Sequence, residues 1–342
     1  MKGGWNMQKR TFDSFFRDFH FVGCAVRSKA MVYLLGRKEY EVAEGNESPT
    51  EKSTKKRVVD VMLNAPEHQS YAETTLTRFG VIHIAVASYP KPQSISVDGE
   101  GQVFARGSGS ADVEAAIEYD KNVGPQRGGV LNIKAIDGVI YGVGWGRSVC
   151  KREGPNHWVP IWNQLPVPKV KSTPDLNRYG FRAIDGFSGS DIYAAGGNGD
   201  VWHFDGDAWK QIRFPSDMLI YNVCCGGDGA VYIAGHGGTV FRGRGDQWSK
   251  ICEGIASYWF NDMVWYQDKV WGTNDYGICA FNENGEQKLD LPDFVRSSTG
   301  YMAQGDGVLV IAGMYGASMY DGTKWSSLVD LVDLYKKYGR ES

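Results

Sequence analysis

The sequence predicts an all-β chain: a single β-propeller over residues 1–342, of seven four-stranded blades, with one short inserted helix and a C-terminal helical tail. Three observations carry this. An apolar and glycine phrase recurs at a fixed period, with Tyr193 in DIYAAGGNGDVWHFDGDAW, Tyr232 in AVYIAGHGGTVFRGRGDQW, Trp271 in KVWGTNDYGICAFNENG and Val310 in VLVIAGMYGASMYDGTKW, each 39 residues after the last. A fifth copy, VIYGVGWGRSVCKREGPNHW, places Tyr141 fifty-two residues ahead of Tyr193, so one linker carries an insertion. The composition suits stacked sheets joined by tight turns: 44 Gly, 11 Trp and 18 Tyr, many at repeated positions. A period near forty made of short apolar runs and Gly turns is the mark of propeller blades.

Taken along the chain, the first residues, MKGGWNMQKRTFDSFFRDF, hold no uninterrupted apolar segment and do not form a secretory leader; Met7 is an alternative start to Met1. This segment is expected to clasp the propeller by completing another blade's sheet. Residues 21–45 alternate like two strands about a turn, and 79–109 like three, which supplies two degenerate copies beside the five clear ones. Residues 44–58, polar and poor in aromatics, are expected to be a mobile surface loop, its KSTKKR run a solvated stretch. In ADVEAAIEYD, 111–120, the Ala and Glu content with Val113, Ala116 and Ile117 on one face predicts the inserted acidic helix.

One blade can be read strand by strand: FRAIDGF (181–187), DIYAAGG (191–197), DVWHFDG (200–206) and AWKQIRF (208–214). Its last turn, FDGDAW, returns as RGRGDQW and YDGTKW, and the Trp after each, with Trp158, is expected to pack between blades as Trp209, Trp248 and Trp325. The tail, 326–342, has Leu328, Leu331, Val332 and Tyr335 at helical spacing and is expected to dock on the propeller.

A net charge of −3 gives no electrostatic case for direct nucleic-acid binding or an anionic membrane. No run approaches the roughly 18 apolar residues of a membrane span. The six cysteines lack CxxC spacing and several sit in strand-like runs, which points to small buried side chains and a cytoplasmic location. The six histidines are scattered, and no metal site or cofactor is expected. There is no GxSxG elbow. SMYDGTKW (318–325) is close to the Asp-box turn of sialidases, with Asp321 one position late, and Arg127, Arg147 and Arg182 do not complete a sialidase arginine set. The RGD at 244–246 is a hairpin turn.

The positive signal lies in the loops. In a propeller the loop between the second and third strands and the segment entering the first strand share a face. Here the first set carries Trp145, Arg147, Asn198, His236, Asn274, Tyr276, Met314 and Tyr315, and the second Tyr179, Arg182, Tyr221, Tyr258, Trp259 and Tyr301. Trp, Tyr and Arg dominate protein-interface hot spots because they bury much area for little lost entropy. Trp145, Arg147, Arg182, Tyr221, His236, Tyr258, Trp259, Tyr276 and Tyr315 are therefore the expected partner-binding residues, with no catalytic residue among them.

In its repeat style, YxAGGxGxVxxFDGxxW, the chain resembles bacterial β-propeller immunity proteins, and is similar in particular to the propeller partners of type VI secretion nuclease toxins. The first 130 residues depart most from that style. The resemblance implies a non-catalytic, cytoplasmic protein, monomeric when free, that binds a cognate protein toxin. Against the basic groove of a nuclease, Asp112, Glu114, Glu118 and Asp120 would serve as an acidic plug. The alternatives are a propeller glycosidase or lyase with a site over the channel, and an assembly-factor propeller.

Overall fold

In the computed structural model, which describes residues 7–39, 49–162, 164–166 and 179–339, seven four-stranded antiparallel sheets follow one another along the chain. They are the seven predicted blades. Blade 1 comprises Phe19–Ser28, Met31–Lys38, Lys56–Met62 and Tyr71–Leu76; blade 2, Ile82–Ala87, Gln93–Asp98, Val103–Gly107 and Ser110–Glu114. Blade 3 comprises Val130–Ile136, Val139–Gly144, Ser148–Gly154 and His157–Pro160; blade 4, Ala183–Ser188, Asp191–Gly196, Asp200–Phe204 and Trp209–Gln211. Blade 5 comprises Ile220–Cys225, Val231–Gly235, Val240–Arg244 and Gln247–Cys252; blade 6, Asp262–Trp265, Val270–Asn274, Gly277–Asn282 and Gly285–Gln287. Blade 7 comprises Gly300–Gly305, Val308–Gly313, Gly316–Tyr320 and Trp325–Asp330. Three helices accompany them among the described residues: α1 (Lys9–Phe15), α2 (Asp293–Arg296) and α3 (Leu331–Tyr338).

The second strand of each repeat is buried throughout or nearly so (Ile192–Gly196, Val231–Gly235, Val308–Gly313), because both faces of a blade are covered. The hairpin Asp closes the last turn. Asp205 accepts from the backbone N–H of Asp207 and Ala208, and Asp321 from Thr323 and Lys324, so FDGD and YDGT are one Asx turn written twice.

The chain divides into two compact units. The first is Met1–Ile84, Thr273–Ile278 and Asp290–Ser342. Within it, blade 1 packs on blade 7 through a core that includes Phe12, Phe16, Cys24, Val32, Val59, Val310, Ala317 and Leu334. Among the described residues every sheet is built from four consecutive strands and no terminal strand completes another blade, which corrects the expected clasp. Helix α3 takes that place by packing on α1: the Phe12 ring meets Tyr335 edge-on at 5.1 Å and stacks on Tyr338 at 6.0 Å. Arg17 also donates to the Gly339 carbonyl at 2.7 Å. Asp330 caps α3 by accepting from the Asp333 N–H, and Leu328 lies in the last strand of blade 7, ahead of the helix.

The 44–58 reading also needs correction where it is described. Thr54 and Lys56 are buried, and blade 1 resumes at Lys56. The Lys56 ammonium donates to the carbonyls of Thr54 (3.0 Å), Phe79 (2.9 Å) and Glu51, so its charge is satisfied inside the fold. Residues 44–48 of that reading lie outside the described residues.

The second unit is Ala85–Gly272 with Cys279–Leu289. Trp158 and Trp209 are buried and bridge blades as expected: Trp158 joins a core shared by blades 2 and 3, and Trp209 donates from Nε1 to the Ile161 carbonyl at 2.6 Å. Trp248 and Trp325 are only half-buried. The predicted helix at 111–120 is not formed. Ser110–Glu114 is the outer strand of blade 2, paired to Val103–Gly107 through a Ser-Gly turn. Ala111, Asp112 and Val113 are exposed and Glu114 is buried, as suits a sheet edge.

Candidate functional site

Within the second unit, the loop between the second and third strands of one blade lies against the segment entering the next. Trp145 forms a backbone bridge with Gly180, and Asn198 with Leu219. Trp145 rests on bare backbone: a Cβ on Gly128 would come within 2.7 Å of the Trp145 Cβ, and one on Gly180 within 3.0 Å of its ring. Glycine is required at both positions for the indole to lie there.

From Trp145 the aromatic side chains run on in sequence. The Arg182 guanidinium lies 5.4 Å from the Trp145 ring centre and 5.2 Å from that of Tyr221. Tyr221 stacks on Trp259 at 4.6 Å with the planes 8° apart. Trp259 is 6.3 Å from the His236 ring and meets Tyr258 edge-on at 6.0 Å, and Tyr258 is 6.4 Å from His236. Six of the sequence-predicted residues thus form one ladder across blades 3 to 6. Its far end, His236, Tyr258 and Trp259, is exposed. Such a row of rigid amphipathic rings offers contact area with little entropy left to lose.

Arg147 has a different place. It is buried and gripped by Asp200 through two hydrogen bonds, Nε to Oδ2 at 2.8 Å and Nη2 to Oδ1 at 3.0 Å. Asp200 also accepts from Trp202 Nε1 at 2.9 Å. Arg147 therefore ties blade 3 to blade 4. Beside it, Arg127 lies 3.6 Å over the Trp162 ring and donates to the carbonyls of Leu165 (3.0 Å) and Gly146 (3.4 Å). Burial, with the neighbouring Arg147 charge, pushes the Arg127 guanidinium down to about 10. Neither arginine is free to form the open arginine set of a sialidase.

In the first unit, Tyr276 is 75% exposed on the turn held by Asn274, whose Oδ1 accepts from the Tyr276 and Gly277 N–H groups. Tyr315 and Met314 are exposed on the corresponding turn of blade 7, where the Tyr315 carbonyl accepts from the N–H of Leu331.

The acidic segment splits. Asp112 and Glu118 are exposed, and Asp120 is tied into a local turn by accepting from Asn122 and Val123. Glu114 is buried and holds the equally buried Arg152, its oxygens at 2.5 and 3.2 Å from Nη2 and Nε, while accepting from the Asn156 N–H. Sequence reasoning missed this pair, since an acid in a polar stretch and an arginine in a strand give no sign of each other. Burial would lower the Lys134 ammonium, but nearby negative groups, Asp185 first, outweigh it and hold the group above its usual range. All six cysteines are free thiols, and burial pushes Cys150 and Cys279 up to about 12. Among the described residues, no cluster of three or more His, Cys, Asp or Glu side chains could hold a metal ion, and no helix is long and apolar enough to cross a membrane.

With this geometry in hand, the chain can be set beside known proteins. Over 248 residues it is 28% identical to Immune protein Tsi7 of Pseudomonas aeruginosa, an alignment that takes in 72% of this chain and 79% of that protein. The resemblance to β-propeller immunity proteins is borne out. No family model matches the chain. Among solved structures, the WD40 β-propeller domain of Doa1 superposes with a TM-score of 0.59 at 9% identity, covering 87% of this chain and 91% of that one. PorZ of Porphyromonas gingivalis superposes with a TM-score of 0.56 at 9% identity, covering 91% of this chain and 38% of PorZ. At that identity the two structures speak for the propeller fold alone.

Proposed function

We propose that the chain is an immunity protein, a non-catalytic propeller that neutralises a cognate protein toxin in the cytoplasm by binding it directly. The observation that carries this reading is the similarity to Immune protein Tsi7 over most of both chains. The ladder from Trp145 to Tyr258 is the proposed contact surface in the second unit, and Tyr276 and Tyr315 are proposed contacts in the first. The toxin is proposed to be a nuclease delivered by type VI secretion, a reading that rests on the repeat style. The exposed carboxylates of Asp112 and Glu118 suit a basic substrate groove. Arg147 and Glu114, each held in a buried ion pair, are proposed to act by positioning the surface, not by touching the toxin.

The test is co-expression with the product of the neighbouring gene. Growth of the toxin-producing cell should be restored, and toxin and propeller should co-elute as one complex. A toxin that kills regardless, and elutes separately, rejects the reading.

A further inference from the structure

The geometry points to Arg182 as a carboxylate receptor: we propose that it takes an acidic group of the partner protein, a side-chain carboxylate or a chain terminus, edge-on between Trp145 and Tyr221. The proposal deepens the toxin-binding reading and rests on it for the partner's identity, though not for the chemistry.

Four arginines fall in the 127–182 stretch of the second unit, and three of them are held by a carboxylate or by carbonyls, though Arg127 Nε and Arg152 Nη1 have no partner of their own among the described residues. Arg147 is paired with Asp200, Arg152 with Glu114, and Arg127 is held by backbone carbonyls. Arg182 has neither kind of partner. Its backbone is fixed, the N–H donating to the Ala195 carbonyl at 2.9 Å and its own carbonyl accepting from Asn132 at 3.3 Å. Its guanidinium lies near two rings, Trp145 at 5.4 Å and Tyr221 at 5.2 Å, and its Nε is buried with no hydrogen-bond partner among the described residues.

Aromatic neighbours attract a guanidinium through its charge but accept no conventional hydrogen bond from its N–H groups, and the Nε–H here is left without an acceptor. A buried N–H without an acceptor is costly, so the site is better satisfied occupied than empty. The group that fits an in-plane pair of N–H donors is a planar, two-oxygen anion, and a carboxylate accepts both bonds in parallel. The burial around Nε would strengthen a charge-assisted bond formed there.

The experiment has two arms. In the first, the Arg182 Nε–H NMR signal, assigned by its loss in Arg182→Lys, is followed while small probes are added. N-acetylaspartate amide carries a side-chain carboxylate, N-acetylalanine a terminal one, N-acetylasparagine amide is the neutral control, and inorganic phosphate is the competing anion. The signal should shift saturably with one or both carboxylates and stay put with the amide, and the stronger carboxylate identifies the source. No shift, an equal shift with the amide, or a stronger response to phosphate overturns the proposal. In the second arm the co-expressed toxin is titrated with wild-type protein and Arg182→Gln, whose dissociation constant should rise about tenfold or more. A toxin that binds both forms equally overturns the proposal. A toxin that binds neither, while carboxylate probes still occupy Arg182, sinks the immunity reading and leaves the site standing.

Discussion

Arg127, Arg147, Arg152 and Arg182 lie within one stretch of 56 residues and have unlike surroundings, and their surroundings decide what a substitution does to each. Arg152 is 1% exposed and faces a buried carboxylate. Arg152→Ala leaves Glu114 charged and unpaired, and should cost about 3–5 kcal/mol in urea unfolding. Replacing both partners together, with Arg152→Met and Glu114→Leu, should recover most of that loss, since the desolvation penalty goes with the charges. The ladder residues behave oppositely. Tyr221→Ala with Trp259→Ala removes a stacked pair with an exposed edge, so the urea midpoint should move little, while toxin affinity should fall by ~2 kcal/mol or more in a binding titration. Equal affinity would remove the ladder from the interface. Cys150 and Cys279, with thiols held near 12, should resist iodoacetamide at neutral pH in the folded protein and react promptly in urea, as mass spectrometry of the labelled peptides would record.

At the scale of elements, the repeated strands were legible because Tyr, Gly and Trp return at positions where a blade needs a ring, a turn and an inter-blade contact. The outer strands of blade 1, KRVVDVM and YAETTL, carried no such phrase. Their buried Lys56 is satisfied by the nearby Glu51 and Thr54 carbonyls together with that of Phe79, 23 residues on, which local reasoning cannot supply. Residues 111–120 failed for a related reason: Ala and Glu favour a helix locally, but pairing to Val103–Gly107 and the Arg152 contact outweigh that small preference. The ladder was legible as a set of residue types in two kinds of loop. That Arg147 belongs to the scaffold was not, because its partner Asp200 sits in the next blade. The turn before Lys56 adds a pH dependence. Hydrogen bonds from Arg37 first, and from Lys56, hold the Glu51 carboxyl down at about 2. A carboxyl lowered in the fold contributes stability above its unfolded value of about 4.3 and loses it as the pH falls towards 2. Glu51→Gln should therefore flatten the acid limb of the stability curve between about pH 4.5 and 2, modestly, because the side chain is a third exposed. The α1–α3 contact makes a larger demand. Phe12 is fully buried, and Phe12→Ala should cost about 3–5 kcal/mol by the same urea measurement.

For the molecule as a whole, binding to the folded form alone predicts that added toxin raises the thermal midpoint in step with its concentration over the dissociation constant. A midpoint unmoved at saturating toxin would argue against a direct complex. The packing of blade 1 on blade 7 has a bearing on time as well. The core that encloses Phe12, Val32 and Tyr71 also needs Val308, Val310 and Leu331, about 240 residues downstream of Tyr71. At a synthesis rate of roughly 5–20 residues per second, the start of the chain waits on the order of ten to fifty seconds for the end. During that interval α1 and blade 1 cover one another, as where Phe16 meets Tyr71, but lack the cover of blade 7 and α3. In a cell that makes the toxin and its antidote together, protection would begin only when the last blade leaves the ribosome. On the proposed immunity role, the order of translation would then bear on survival alongside affinity.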